Sequence, residues 1–112
     1  MLTTFSDPFD AKTILDGIRH WVEIETPTEA PDHINRLATL VADGYRGLPA
    51  TIERVAGHSG CGDHLIVRSS WGQQHPGILV LSHLDTVHPL GFIQRLPFRL
   101  EGDSASAPAS TT

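Results

Sequence analysis

The chain has 112 residues, 39% of them hydrophobic and 19% charged, enough for one small globular domain with a modest core. Its formal net charge of −5 excludes the basic surplus of a nucleic-acid binder and gives no attraction to an anionic membrane. No apolar run is long enough to span a bilayer and no basic-then-apolar leader opens the chain. Cys61 is the only cysteine, so an internal disulfide is impossible and a reducing, cytoplasmic setting is expected.

In chain order, residues 7–25 read as a first helix. Asp7 can cap it, Pro8 suits its first turn, and Ile14, Leu15, Ile18, Trp21 and Val22 share one face. Thr26-Pro27 ends it, because proline breaks the hydrogen-bond ladder. A second helix starts near Pro31 and gathers Ile34, Leu37, Ala38, Val41 and Ala42 on one face, with Gly44 and Gly47 as the stop. Residues 51–55 form a weakly alternating strand, 57–62 a glycine-rich turn, and 64–69 a better strand centred on Leu65-Ile66-Val67. After a turn at 72–76, Ile78-Leu79-Val80-Leu81 is a short continuous apolar run. It predicts a strand covered on both faces in a layered α/β protein. Residues 104–112 hold only Ser, Ala, Pro and Thr, and are expected to be disordered. The organisation is therefore 1–103 as one α/β unit, two helices followed by strands of a mixed sheet, and 104–112 as a tail.

The stretch with chemical content is Leu79-Val80-Leu81-Ser82-His83-Leu84-Asp85-Thr86-Val87. In extended backbone, residues two apart project from the same side, so the Asp85 carboxylate can sit beside the His83 imidazole. A carboxylate on one ring nitrogen fixes the tautomer and leaves the other nitrogen for a metal. Strand ends of open α/β sheets are also where ligand sites collect.

His88-Pro89 and Pro97-Phe98-Arg99-Leu100-Glu101-Gly102-Asp103 extend the pattern, with Trp21-Val22-Glu23-Ile24-Glu25-Thr26-Pro27-Thr28 and Gly62-Asp63-His64-Leu65 upstream. On these residues the chain resembles the co-catalytic zinc peptidases of the acetylornithine deacetylase, succinyl-diaminopimelate desuccinylase and carboxypeptidase G family, nearest its glutamate carboxypeptidase branch. The resemblance covers nearly the whole chain and is most specific over residues 82–103. It implies the N-terminal part of a catalytic domain, with His83 ligating one zinc and Asp85 orienting it. Family members hold two zinc ions bridged by an aspartate and a water, with a nearby glutamate as general base. They hydrolyse a peptide or N-acyl amide bond next to a carboxylate, and are often homodimers through a smaller inserted α+β domain.

After Glu101-Gly102-Asp103 the family pattern continues with Tyr-Gly-Pro-Gly and an Asp-Met-Lys-Gly-Gly-like run. Here residues 106–112 read Ser-Ala-Pro-Ala-Ser-Thr-Thr, so the bridging aspartate, the base glutamate and the later ligands are missing. Deleting the second base of TAC GGC CCC GGC ATC TAC GAC ATG A, which encodes Tyr-Gly-Pro-Gly-Ile-Tyr-Asp-Met, gives that tail and a stop. A frameshift, in the gene or in its sequencing, is the expectation, with a natural low-complexity tail as the alternative. One histidine is a poor zinc site, so the chain alone is expected to be inactive. Its central strands would lack neighbours, and unpaired edges invite aggregation.

The competing readings are a non-enzymatic pseudogene product and a small metal-binding module on His58, Cys61 and His64. The module lacks a fourth ligand unless Asp63 or His75 supplies one. Cys61 as a nucleophile has no placed base. His88 reads as a surface loop residue, His20 as a boundary residue beside the first helix's apolar face, and Trp21 as core. Arg95 and Arg99 read as solvated charges that are candidates to touch an acidic substrate. Glu23 and Glu25, near a helix end, carry no acid–base motif.

Overall fold

A computed structural model of the chain describes residues 7, 9–72 and 74–108. Its elements follow in the order α1 (Ala11–Val22), α2 (Pro31–Tyr45), β1 (Ala50–Val55), β2 (His64–Ser69), α3 (Phe92–Arg95), β3 (Arg99–Glu101) and β4 (Ser104–Ser106). The chain is a small α/β unit in which helices precede antiparallel strands, in line with the sequence. The pairs β1–β2 and β3–β4 form separate two-stranded sheets, and parallel pairing among the described residues is confined to one bridge, Pro27 with Thr86.

Asp10, rather than Asp7, caps α1. Its carboxylate accepts from the Thr13 N–H and from Thr13 Oγ1, each at 2.9 Å. Asp7 is spent one turn earlier, where its carboxylate accepts the Phe9 N–H and its carbonyl the Asp10 N–H, and that turn delays the helix. Pro8 lies outside the described residues. The helix also stops short of Glu25, at Val22. The N–H groups of Glu23 and Ile24 bond back to Arg19 and Trp21 and close the last turn, freeing Glu25 and Thr26 for longer-range contacts.

The core sits on α2. Pro31 occupies its first turn, where a missing N–H has no cost, and Asp32 favours the positive end of the helix dipole. Ile34, Leu37, Ala38, Val41 and Ala42 are the buried hydrophobic residues among those described, and all five lie on the face that the 3.6-residue spacing picks out. Gly44 stays inside the helix. Gly47 takes a φ of +84°, which an L side chain resists, and turns the chain towards β1. The hairpin runs in register from Ala50 opposite Ser69 to Val55 opposite His64.

Arg54 fastens this hairpin to α2. Its guanidinium donates to Asp63 Oδ2 (2.8 Å), Thr39 Oγ1 (2.7 Å) and the Asn35 carbonyl (2.8 Å). Asp63 accepts the Gly57 N–H with its other oxygen, while its own N–H donates to Asn35 Oδ1 at 2.8 Å. The Gly57 N–H, with Arg54 next, holds the Asp63 carboxyl below the usual aspartate range.

Three expectations are corrected. First, Trp21 is 44% exposed rather than core, and α1 contains no buried residue, because its apolar face is only partly covered and borders a cavity that Leu37, Phe92 and Pro108 also line. Second, residues 78–81 join no strand. Ile78, Leu79, Val80 and Leu81 are 80–95% exposed, since a strand covered on both faces needs flanking strands and layers that the described residues do not place there. Third, the tail is structured from its start. Ser104–Ser106 pairs with Arg99–Glu101 around Gly102, whose φ of +58° suits the first position of a tight two-residue hairpin turn. Pro108 is buried, and residues 109–112 lie outside the described part. The radius of gyration, 16.4 Å, exceeds the roughly 13 Å of a compact chain of this length. A core confined to one helix and an open apolar segment account for the difference.

Candidate functional site

Two distant segments are zipped together beneath His83. Residues 26–28, just past α1, run beside residues 84–86. The Thr86 N–H donates to the Thr26 carbonyl at 2.7 Å and the Thr28 N–H to the Thr86 carbonyl at 3.3 Å. The Thr26 hydroxyl, 2% exposed, donates to the Leu84 carbonyl at 2.7 Å. Burying that hydroxyl costs free energy unless it is bonded, so this partner is what the position requires.

On this footing the His83 ring meets Asp85. His83 Nδ1 lies 3.0 Å from the Asp85 carbonyl and 3.2 Å from Asp85 Oδ1. A carbonyl and an ionised carboxylate can only accept, so Nδ1 carries the hydrogen, and in the neutral ring Nε2 is the nitrogen with the lone pair. Asp85 Oδ2 in turn accepts from Thr28 Oγ1 at 2.7 Å. Thr28, then His83, lowers the Asp85 pKa from its ordinary value. Asp85 thus faces the His83 ring with one oxygen while Thr28 holds the other.

His83 borders a cavity of about 240 Å³ that Trp21, Glu25, His88, Phe92 and Pro108 also line. Glu25 shapes its wall: Oε2 accepts the Gly91 N–H and Oε1 the Ile93 N–H, each at 2.8 Å. His88 stacks on Phe92 with ring centroids 4.6 Å apart and planes 7° from parallel, which makes it a half-buried wall residue rather than a plain loop residue.

The Glu25 clamp carries a pH prediction. The Ile93 N–H is the chief cause holding the Glu25 pKa below its ordinary value of 4.5. A depressed carboxylate stabilises the fold fully above its unfolded value, and that contribution fades as pH falls through the folded one. Glu25→Gln should therefore flatten the acid limb of the stability profile below that ordinary value. Urea midpoints compared between the two proteins as pH is lowered from neutral will show it.

The remaining candidates are not brought together. Among the described residues no group of three or more His, Cys, Asp or Glu side chains is placed to hold a metal, so the His58, Cys61 and His64 cluster does not form a site. Cys61 is exposed and Asp63 is engaged by Arg54 and Gly57. His20 is exposed, donating from Nδ1 to the Asp16 carbonyl at 2.7 Å. Arg95 and Arg99 are exposed, while Arg19 is the arginine that lies over the Phe98 ring, at 5.2 Å. No helix among the described residues is long and apolar enough to cross a membrane.

For a metal, the donor set fits in part. His83 offers an oriented imidazole of the kind zinc takes, but the described residues gather no group of three or more candidate ligands.

The chain is 28% identical over 95 residues to carboxypeptidase G2 of Pseudomonas sp. (strain RS-16). The alignment covers 85% of this chain and 23% of that protein, so the chain spans under a quarter of its relative's length. No protein-family model and no solved structure matches the chain.

Proposed function

We propose that the chain carries one wall of the active site of a zinc-dependent amide hydrolase of the glutamate carboxypeptidase type. In this reading His83 Nε2 is a zinc ligand, and Asp85, itself held by Thr28, fixes the ring that presents it. The observation that carries the reading is the contact of His83 Nδ1 with Asp85, because it leaves Nε2 as the nitrogen that the neutral ring offers to a metal. The similarity to a carboxypeptidase supports the reaction class, and a small peptide or an N-acyl amino acid is the substrate class we infer from it. Zinc supplies Lewis acidity towards a scissile carbonyl and towards water. This chain's own residues hold and orient one ligand and wall the adjoining cavity.

Catalytic zinc takes three protein ligands and keeps an open position, whereas among the described residues no group of three candidate ligands comes together. The 112-residue chain by itself is therefore expected to turn over no N-acyl glutamate in the presence of zinc. Release of free glutamate, followed with purified protein, checks this. Turnover that survives His83→Ala would remove the histidine from the mechanism.

A further inference from the structure

Resting on the reading of His83 as a zinc ligand, we propose that Thr28 is a positioning residue that decides which ring nitrogen His83 presents. Thr28 lies 57 residues before Asp85, on the segment that follows α1. Its hydroxyl has one hydrogen and two acceptors within reach, Asp85 Oδ2 at 2.7 Å and the Thr86 carbonyl at 3.4 Å. The shorter contact, to a charged oxygen, takes the hydrogen. The carboxylate is thereby shared between two partners, with Oδ2 on Thr28 and Oδ1 3.2 Å from His83 Nδ1.

Thr28 itself stands on a fixed footing. Its N–H donates to the Thr86 carbonyl, the Thr86 N–H to the Thr26 carbonyl, and the buried Thr26 hydroxyl to the Leu84 carbonyl. These bonds pin the residues on either side of Asp85, so the hydroxyl meets the carboxylate from one direction only. The Asp85 side chain is 37% exposed, and with Oδ2 released it would turn towards water. His83 Nδ1 would then keep the Asp85 carbonyl, at 3.0 Å, as its acceptor. A neutral carbonyl holds an N–H less strongly than a carboxylate does. The other tautomer, with its hydrogen on Nε2 and its lone pair against Asp85, would gain ground, and that form turns no lone pair outward.

Histidine ¹⁵N shifts of the metal-free full chain, at a pH where the rings are neutral, report the His83 tautomer and test the proposal. Thr28→Val and Thr28→Ala remove the hydroxyl, Thr28→Ser keeps it, and Thr28→Val is repeated in an Asp85→Ala chain. Thr28 is exposed, and circular dichroism verifies that each variant keeps its fold. The expected result is an Nδ1–H form that predominates in wild type and Thr28→Ser and loses ground in Thr28→Val and Thr28→Ala. Thr28→Val should change nothing further once Asp85 is alanine, because the effect runs through that carboxylate. Zinc binding followed on the same resonances should weaken about tenfold in Thr28→Val, the lower end for losing a partner that orients a ligand, and recover in Thr28→Ser. Three results would overturn the proposal: an Nε2–H form already dominant in wild type, a tautomer unmoved in both hydroxyl-free variants, or a shift of the same size without Asp85. If the tautomer shifts as expected while zinc leaves His83 untouched in every chain, the zinc reading falls and the positioning role is upheld.

Discussion

Gly57→Ala is expected to destabilise the chain by about 3 kcal/mol, near the top of the range for overpacking. A methyl group built on Gly57 would run into the carbonyl oxygens of Cys61 and Gly62 and approach the Gly62 carbonyl carbon to 2.7 Å. These are backbone atoms of the turn that closes the β1–β2 hairpin, and no side-chain rotation can relieve the contact. The Gly57 N–H is also bonded to Asp63, the residue that ties the hairpin to α2 through Arg54. Moving the glycine therefore pulls on the junction between hairpin and helix. Urea unfolding followed by far-ultraviolet circular dichroism will measure the loss. In a protein with so few buried residues, that loss is a large share of the total stability.

Leu37→Ala is expected to cost about 2–5 kcal/mol, the range for removing a buried leucine. Leu37 is 6% exposed at the middle of the α2 face and also borders the cavity beside His83. The substitution should thus do two things that an exposed one does not: lower the urea midpoint and shift the His83 ring resonances in the folded protein. Ile14→Ala on α1 is the contrasting case. Ile14 is already 45% exposed, so the same chemical change removes less burial and should have a smaller effect.

How much of this was legible in the sequence depends on the range of the interactions involved. The α2 face could be read residue by residue, because five apolar side chains at helical spacing have one way to be buried together. The β1–β2 hairpin could be read from two apolar runs flanking a glycine-rich turn. The contact between His83 and Asp85 was also local, set by two-residue periodicity in extended backbone. What supports that contact was not local. Thr26 reaches Leu84, Thr28 reaches Asp85, and Glu25 reaches Gly91 and Ile93. A threonine on either side of a proline is the only trace these contacts leave in the sequence, and it reads equally well as a helix terminator. The start of α1 was missed because Asp7 and Asp10 are both competent caps, and the choice between them rests on a turn at residues 7–10. The strand β4 was missed because Ser-Ala-Ser has no apolar signal, and its pairing is imposed by the turn at Gly102. The run at 78–81 misled in the opposite direction. Its composition suits a buried strand, but burial depends on neighbours that no local pattern guarantees.

Zinc titration of the chain with ¹⁵N detection of the histidine rings tests the functional reading most directly. The account predicts that Nε2 of His83 is the ring nitrogen that zinc perturbs, and that Asp85→Asn weakens the apparent affinity by about 10- to 100-fold, as removing a partner that orients a ligand does. Zinc taken up by His58, Cys61 or His64 while the His83 resonances stay in place would contradict it.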